Sequence, residues 1–198
     1  MASGTLVLVV GPSGAGKDAL IDGARARFKA DRRFVFPRRF ITRQGNLPGE
    51  RHRPIRPDRF AAVKAQGGFA LSWQAHGLDY AIPAGIETEL AKGKTVVVNV
   101  SRTVIAKARR RFAPLRVIWI SAPAALLADR LAKRGRETPI QQERRLTRAG
   151  LRAPEGADVT EIINDGALAD AVRAFVKVLL TSRTGPAKRT ARRASRAL

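Results

Sequence analysis

Lys17 closes a glycine turn whose place between two regular elements leaves few folds open. Thr5-Leu6-Val7-Leu8-Val9-Val10 is a short, wholly apolar, largely β-branched run. Such a run suits a central strand buried on both faces of a sheet. Gly11-Pro12-Ser13-Gly14-Ala15-Gly16-Lys17 follows directly and matches the first seven positions of the Walker A pattern. From Lys17 to Ala30, Leu20, Ile21, Ala24 and Phe28 form one apolar stripe at helical spacing. Strand, glycine turn and helix in this order make a phosphate cradle. Glycine lets the backbone curl so that successive N–H groups face inward. The helix adds its positive N-terminal end. Lys17 is then placed to bridge the β- and γ-phosphates of a nucleoside triphosphate such as ATP.

The eighth position departs from the pattern, since Asp18 replaces the usual Ser or Thr. A carboxylate is a hard oxygen ligand, so Asp18 is the candidate for holding Mg2+. An acid in a first helical turn also answers the helix dipole. Both roles are open at this point.

The apolar runs that follow predict further strands at Phe34 to Ile41, Phe69 to Trp73, Leu78 to Ile82, Thr95 to Val100, Arg116 to Ile120 and Val159 to Ile163. Residues 43–57, with Gly45, Pro48, Gly49, Pro54 and Pro57, predict a loop. Asp58 is expected to cap a helix running to about Gln66. Pro83 is expected to open a helix that ends before Gly93, and Ser101 to cap one reaching Phe112. Further helices are predicted from Pro123 to Arg134, over 139–149 and over 166–181. Apolar strands alternating with helices imply an α/β fold, a mainly parallel sheet covered on both faces.

Composition narrows the partners. The chain has 38 basic and 16 acidic residues among 198, a formal net charge of +22. Such a charge attracts anions, nucleic acid first and small multi-phosphates second. Part of it lies in a tail, residues 183–198, where Arg183, Lys188, Arg189, Arg192, Arg193 and Arg196 occur without an acid. The tail is expected to be disordered, with any nucleic-acid contact incidental to function. The absence of cysteine excludes disulfides, zinc–thiolate sites and thiol catalysis. No run approaches the length needed to span a bilayer, and no leader is expected before the first strand. A cytoplasmic protein with no membrane partner is the expectation; its oligomeric state is not legible.

The P-loop and several later segments together resemble guanylate kinase and its relatives. Arg39-Phe40-Ile41-Thr42-Arg43 falls at that family's phosphate clamp, and Gly49-Glu50 at the Gly-Glu after it. Gly68 to Trp73 and Gly77-Leu78-Asp79-Tyr80 match the acceptor hairpin. Arg134-Gly135-Arg136, with Glu143-Arg144-Arg145-Leu146, matches the arginine lid, and Asn164-Asp165 the pair near adenine. The departures are chemical. The family's guanine-reading Glu falls on Ser72, and its acidic pair after the middle strand on Asn99 and Ser101. Guanine selection uses carboxylates to accept the base's N–H groups, and a neutral pocket loses them, so GMP is not the expected acceptor.

This combination is similar to a narrower family, the ribose 1,5-bisphosphokinases of phosphonate breakdown. The likeness lies in Gly-Pro-Ser-Gly-Ala-Gly-Lys-Asp (11–18), Arg-Phe-Ile-Thr-Arg (39–43) and Gly-Glu-Arg-His (49–52). It extends to Leu-Ser-Trp-Gln-Ala-His-Gly-Leu-Asp-Tyr (71–80) and Val-Val-Asn-Val-Ser-Arg (97–102). The resemblance implies a three-layer nucleoside-monophosphate-kinase-like P-loop fold over residues 1–182. A small inserted acceptor lobe would span about 38–90 and an arginine lid about 134–146. It implies ATP and Mg2+ as cofactors and a phosphorylated sugar as partner.

The implied site residues follow. Lys17, Arg134, Arg144 and Arg145 would be catalytic. Gly11, Pro12, Ser13, Gly14, Ala15, Gly16, Lys17, Asp18 and Asn164 would hold the nucleotide. Arg39, Thr42, Arg43, Glu50, His76, Tyr80, Asn99 and Ser101 would meet the acceptor. Arg38, Arg51 and Arg53 enrich the same phosphate-binding face. His52 is expected to be a solvated loop residue, and Trp73 and Trp119 to be packing residues. Other metabolite kinases, a non-catalytic module of the same fold and a nucleic-acid-binding ATPase remain alternatives.

Overall fold

The computed structural model describes residues 3–43, 51–134 and 153–181. The predicted helix over 139–149, Glu50, the lid residues beyond Arg134 and the tail lie outside them. So does the side chain of Arg134, whose backbone ends a helix.

Two sheets form the frame. The larger has five strands in the order β2-β7-β1-β8-β9: β2 (Phe34–Val35), β7 (Thr95–Asn99), β1 (Leu6–Val10), β8 (Leu115–Ser121) and β9 (Val159–Ile163). Every pairing in it is parallel. Helices cover both faces, which is why β1 is buried along its whole length. One face meets α1 (Lys17–Arg27), α5 (Ala124–Arg134) and α6 (Leu168–Thr181), through Leu20, Ile21, Leu127, Phe175 and Leu179. The other meets α3 (Ile86–Ala91) and α4 (Ile105–Arg111), together with Leu71 and Ile82 of the second sheet. Layer, sheet and layer give the P-loop kinase architecture expected.

The second sheet has four strands in the order β4-β3-β6-β5: β4 (His52–Pro54), β3 (Arg39–Ile41), β6 (Leu78–Pro83) and β5 (Phe69–Ala75). β4 runs parallel to β3, and β6 antiparallel to both β3 and β5. α2 (Pro57–Ala65) closes its outer face through Phe60, which packs with Phe69 and Ala81. His76 and Gly77, at φ 54° and 72°, make the tight turn between β5 and β6.

Several local expectations are corrected. The single strand expected over 34–41 is two strands in different sheets, divided by Pro37, whose missing N–H cannot serve a continuing ladder. The loop expected over 43–57 contains β4. Arg56, not Asp58, precedes α2, because Pro57 takes the first helical position. Pro83 ends β6 instead of opening a helix, and α3 begins at Ile86. Ser101 caps a 3-10 turn, Arg102–Val104, before α4 starts. α1 stops at Arg27.

Candidate active site

The P-loop emerges from β1 in the conformation its glycines permit. Gly11 has φ 152°, and a Cβ there would lie 2.2 Å from the carbonyl oxygen of Ile120 on β8. Only glycine fits so close an approach. Gly16, at φ 88°, caps α1, and a Cβ there would meet the Asn164 side-chain nitrogen at 2.5 Å. Lys17 turns back over the loop, donating from Nζ to the carbonyls of Gly11 at 2.8 Å and Pro12 at 2.7 Å. Its ammonium therefore rests at the concave side of the loop, where phosphate oxygens would be received.

Asn164 lies behind this loop. It is buried, and its amide donates to Ala15 O at 2.8 Å. Its backbone N–H donates to Ser121 O at 2.8 Å, and its carbonyl accepts from Arg130 at 3.1 Å. It ties the ends of β8 and β9 to the P-loop from below and so supports the loop expected to hold the nucleotide. Asn164→Ala is expected to cost about 1–3 kcal/mol of stability, the scale of leaving a buried hydrogen-bonding group unpaired. Denaturant unfolding would read that cost, and a loosened loop would also raise the KM for ATP.

Asp18, in the first turn of α1, faces a cleft between the two sheets. Asn99 at the end of β7 donates from Nδ2 to Asp18 Oδ1 at 2.8 Å. Arg39 approaches Asp18 Oδ2 at 3.6 Å, and the Arg39 side chain is only 12% exposed. Three elements thus meet at one carboxylate. Asn99, expected at the acceptor, uses one amide N–H to orient Asp18. The Ser101 hydroxyl accepts within its own turn from Thr103 N at 3.3 Å and from Thr103 Oγ1 at 3.0 Å, which leaves its proton to donate.

Register decides which lobe residues face the cleft, because directly paired residues share a face and neighbours alternate. Arg39 pairs with His52, Ile41 with Tyr80, and Tyr80 with Trp73. These lie on the cleft face, with the Trp73 and Tyr80 rings stacked at 5.4 Å. Phe40, Arg53, Ala81 and Ser72 lie on the opposite face, where Arg53 sits over the Phe40 ring. Arg53 is therefore not part of the phosphate-facing set. Ser72 does not occupy the acceptor-reading position either: on β5 the cleft-side residues are Leu71 and Trp73. Thr42 pins β3 to β6, its hydroxyl accepting from the Asp79 N–H at 2.9 Å. Arg43 is half-buried just after β3 and Arg38 is exposed just before it. His76 is exposed at the hairpin turn, well along the lobe from Tyr80's strand partner Ile41.

His52 is not a solvated loop side chain. It is 1% exposed in β4 beside Arg39. A strand of three residues shows no periodicity, so nothing in the sequence marks its burial. Trp119 is buried, with the Arg102 guanidinium 5.2 Å from its ring centroid. Partial burial pushes Arg102 below its ordinary pKa.

The cleft also holds residues that motif reading passed over. Asp22 and Arg25 of α1 line it beside Asp18, Arg39, Arg51 and Asn99. Asp22 is ion-paired with Arg25 and lies 3.9 Å from Arg51 Nε. The signal was present: Asp18, Asp22 and Arg25 recur at i, i+4 and i+7, one polar face of a helix.

No family model matches the chain. It is 49% identical over 184 residues to the ribose 1,5-bisphosphate phosphokinase PhnN of Acidiphilium cryptum, a match covering 93% of this chain and 97% of that one. It is 42% identical over 176 residues to the protein of the same name from Rhizobium etli, covering 89% of each. The bifunctional ribose 1,5-bisphosphokinase-thymidine phosphorylase of Azorhizobium caulinodans is 43% identical over 180 residues, and this chain spans only 26% of its length. Among solved structures, guanylate kinase from Anaplasma phagocytophilum superposes with a TM-score of 0.65 at 15% identity, covering 92% of this chain and 88% of that one. A gluconokinase from Sinorhizobium meliloti 1021 gives 0.51 at 19% identity, covering 91% and 94%. These two likenesses carry the fold alone. Through its near-full-length relatives, the chain belongs to the ribose 1,5-bisphosphate phosphokinase PhnN family, built on the P-loop kinase fold.

Proposed function

We propose that this chain transfers the terminal phosphoryl group of ATP to the C1 phosphate of ribose 1,5-bisphosphate. The products are 5-phospho-α-D-ribose 1-diphosphate and ADP. The observation that carries this reading is the meeting of Lys17's loop and Arg39's strand across one cleft, with Asp18 between them. A phosphate donor and a phosphate acceptor can be held there end to end.

The chemistry asks little of the protein beyond placement. A phosphomonoester has its second pKa near about 6, so the acceptor oxygens are ionised at neutral pH. An oxygen of the C1 phosphate attacks the γ-phosphorus of ATP, and the bond from that phosphorus to the β–γ bridging oxygen breaks. The electron pair leaves with ADP, and no proton need move. Two anions must instead be brought together and their charge offset. The P-loop amides and Lys17 take the donor phosphates. Arg39 and Arg43 offer guanidinium forks to the acceptor, and Tyr80 lies on the same face as Arg39. Thr42 holds β3 in register, while its hydroxyl proton is still available to an oxygen. The arginines of the lid sequence, Arg134, Arg144 and Arg145, are assigned to the transferring group on the resemblance alone.

Asp18 fits a magnesium role. Magnesium is typically held by one or two carboxylates together with substrate phosphates and retained waters. No group of three or more His, Cys, Asp or Glu side chains converges among the described residues, and Asp18 opens directly onto the cleft. The bound ion would supply charge neutralisation to the phosphates. Among the described residues no helix is long and apolar enough to cross a membrane, and a cytoplasmic setting suits a kinase of small metabolites.

Phosphorus NMR of the protein with ATP, magnesium and ribose 1,5-bisphosphate is expected to show a new diphosphate on the sugar, in step with ADP. Appearance of ADP with inorganic phosphate and no sugar diphosphate would overturn the reading. In the same assay Asp18→Ser is expected to shift the magnesium dependence to higher concentration. An unchanged dependence would leave Asp18 to the helix dipole alone.

A further inference from the structure

The cleft holds three arginines, Arg25, Arg39 and Arg51, beside Asp18 and Asp22, and their arrangement along α1 is graded. Asp18, Asp22 and Arg25 occupy one face of that helix, which rises about 1.5 Å per residue, so Arg25 stands about 12 Å beyond Lys17 along the axis. Arg39 stands beside Asp18 from β3, and Arg51, from just before β4, reaches Asp22. Two acid–arginine groups therefore lie in sequence along one groove, the first at the loop and the second a turn or more further out. Lys17 fixes where the phosphoryl group is handed over. The acceptor phosphate must sit at that end, and any second phosphate on the same sugar must project along the groove.

We propose that Arg25 and Arg51, ordered by Asp22, form a second anion clamp in this cleft and select an acceptor bearing two phosphates. The inference rests on the acceptor reading given above and joins Asp22 and Arg25, which no family motif marks, to Arg51 of the Gly-Glu-Arg-His stretch. Asp22 pairs with Arg25 and lies within ion-pair reach of Arg51, so it draws two guanidinium groups on different elements to one point. Without it they would repel one another. Arg25 is also restrained by Phe36, whose ring centroid lies 5.7 Å from the guanidinium carbon. Its fork is thereby presented with little rotamer freedom left to lose. A phosphate offers three acceptor oxygens and up to two negative charges, where the carboxylate offers two oxygens and one. It can take both forks and displace Asp22 from them. A sugar with a single phosphate, held at the Lys17 end, leaves this second group untouched.

The test compares ribose 1,5-bisphosphate with ribose 1-phosphate as acceptors, using the full chain. Arg25→Gln and Arg51→Gln are each expected to raise the KM for the bisphosphate about tenfold, the scale of losing one charged hydrogen-bonding partner. The preference in kcat/KM for bisphosphate over monophosphate falls by about the same factor, and the effect does not appear in the KM for ATP. Asp22→Asn moves the preference in the same direction by less. Arg51 has a side chain 66% exposed, so its variant keeps the question answerable if Arg25→Gln folds poorly. Equal losses on both acceptors, a shift in the KM for ATP, or no change would each overturn the clamp. If the wild-type protein turns over neither sugar, the reaction reading falls instead. Calorimetric titration of the two sugars into nucleotide-free protein then still decides the clamp. Tighter binding of the bisphosphate that Arg51→Gln abolishes supports it, and equal binding of both sugars overturns it.

Discussion

Replacing Lys17 by alanine is expected to lower kcat about a thousandfold, the scale on which a positioned cation acts at a transferring phosphoryl group. The fold should survive. The Lys17 ammonium contacts the carbonyls of Gly11 and Pro12 at the inner side of the loop, and its removal leaves those carbonyls open to water. A hydrogen bond lost under such conditions costs about 1 kcal/mol. The loop itself is shaped by Gly11 against Ile120 and by Asn164 against Ala15, neither of which depends on the lysine. Single-turnover formation of ADP, read beside the thermal midpoint, separates the two effects. A variant that unfolds would make Lys17 structural, and one that retains a tenth of wild-type turnover would place the catalytic charge elsewhere. A non-catalytic module of the same fold would show no turnover to lose.

How much of this was legible beforehand depended on whether a feature was local. The strand, glycine turn and helix of the P-loop lie within consecutive residues, and the structure reproduces them with α1 ending a few residues early. The buried strands β7 and β8 are continuous apolar runs and were equally plain. The segment 34–41 was not. Pro37 divides its two short strands, but that they join different sheets is shown by the long-range pairing of β2 with β7 and β3 with β6. β4 is three residues long, too short for alternation to register, so His52 was misread as solvated. Asn164 is a sharper case. The resemblance sets it near adenine, while the hydrogen bond from its amide to Ala15, a partner 149 residues away, is invisible in the sequence. Asn99 and Ser101 likewise carry hydrogen bonds that fix a carboxylate and a turn. Polar side chains at a site divide between those that touch ligand and those that hold others in place, and sequence alone does not sort them.

The same sorting predicts the largest effect on specificity. GMP is expected to be a poor acceptor, with kcat/KM about 10⁴-fold below that of ribose 1,5-bisphosphate, the scale on which a site lacking needed partners rejects a ligand. Guanine presents N–H groups that demand acceptors, and a buried donor left unpaired costs its full desolvation. On the cleft face of the lobe, β5 presents Leu71 and Trp73, both without an acceptor, and Leu71 is packed into the core. Trp73 is stacked on Tyr80, so one face of its ring is already covered. Asn99 and Ser101 offer neutral oxygens where the guanine-reading family has acids, and the Ser101 oxygen already accepts from Thr103. A sugar phosphate would make none of these demands, because in the proposed reading its charge is met by Arg39 and its neighbours. Competition between the two acceptors in one reaction, followed by phosphorus NMR, measures the ratio directly. Turnover of GMP within about a hundredfold of the sugar would mean that the lobe reads a base after all. Asn99 Oδ1 would then have to accept from the base, or the Ser101 hydroxyl to release Thr103, when substrate binds.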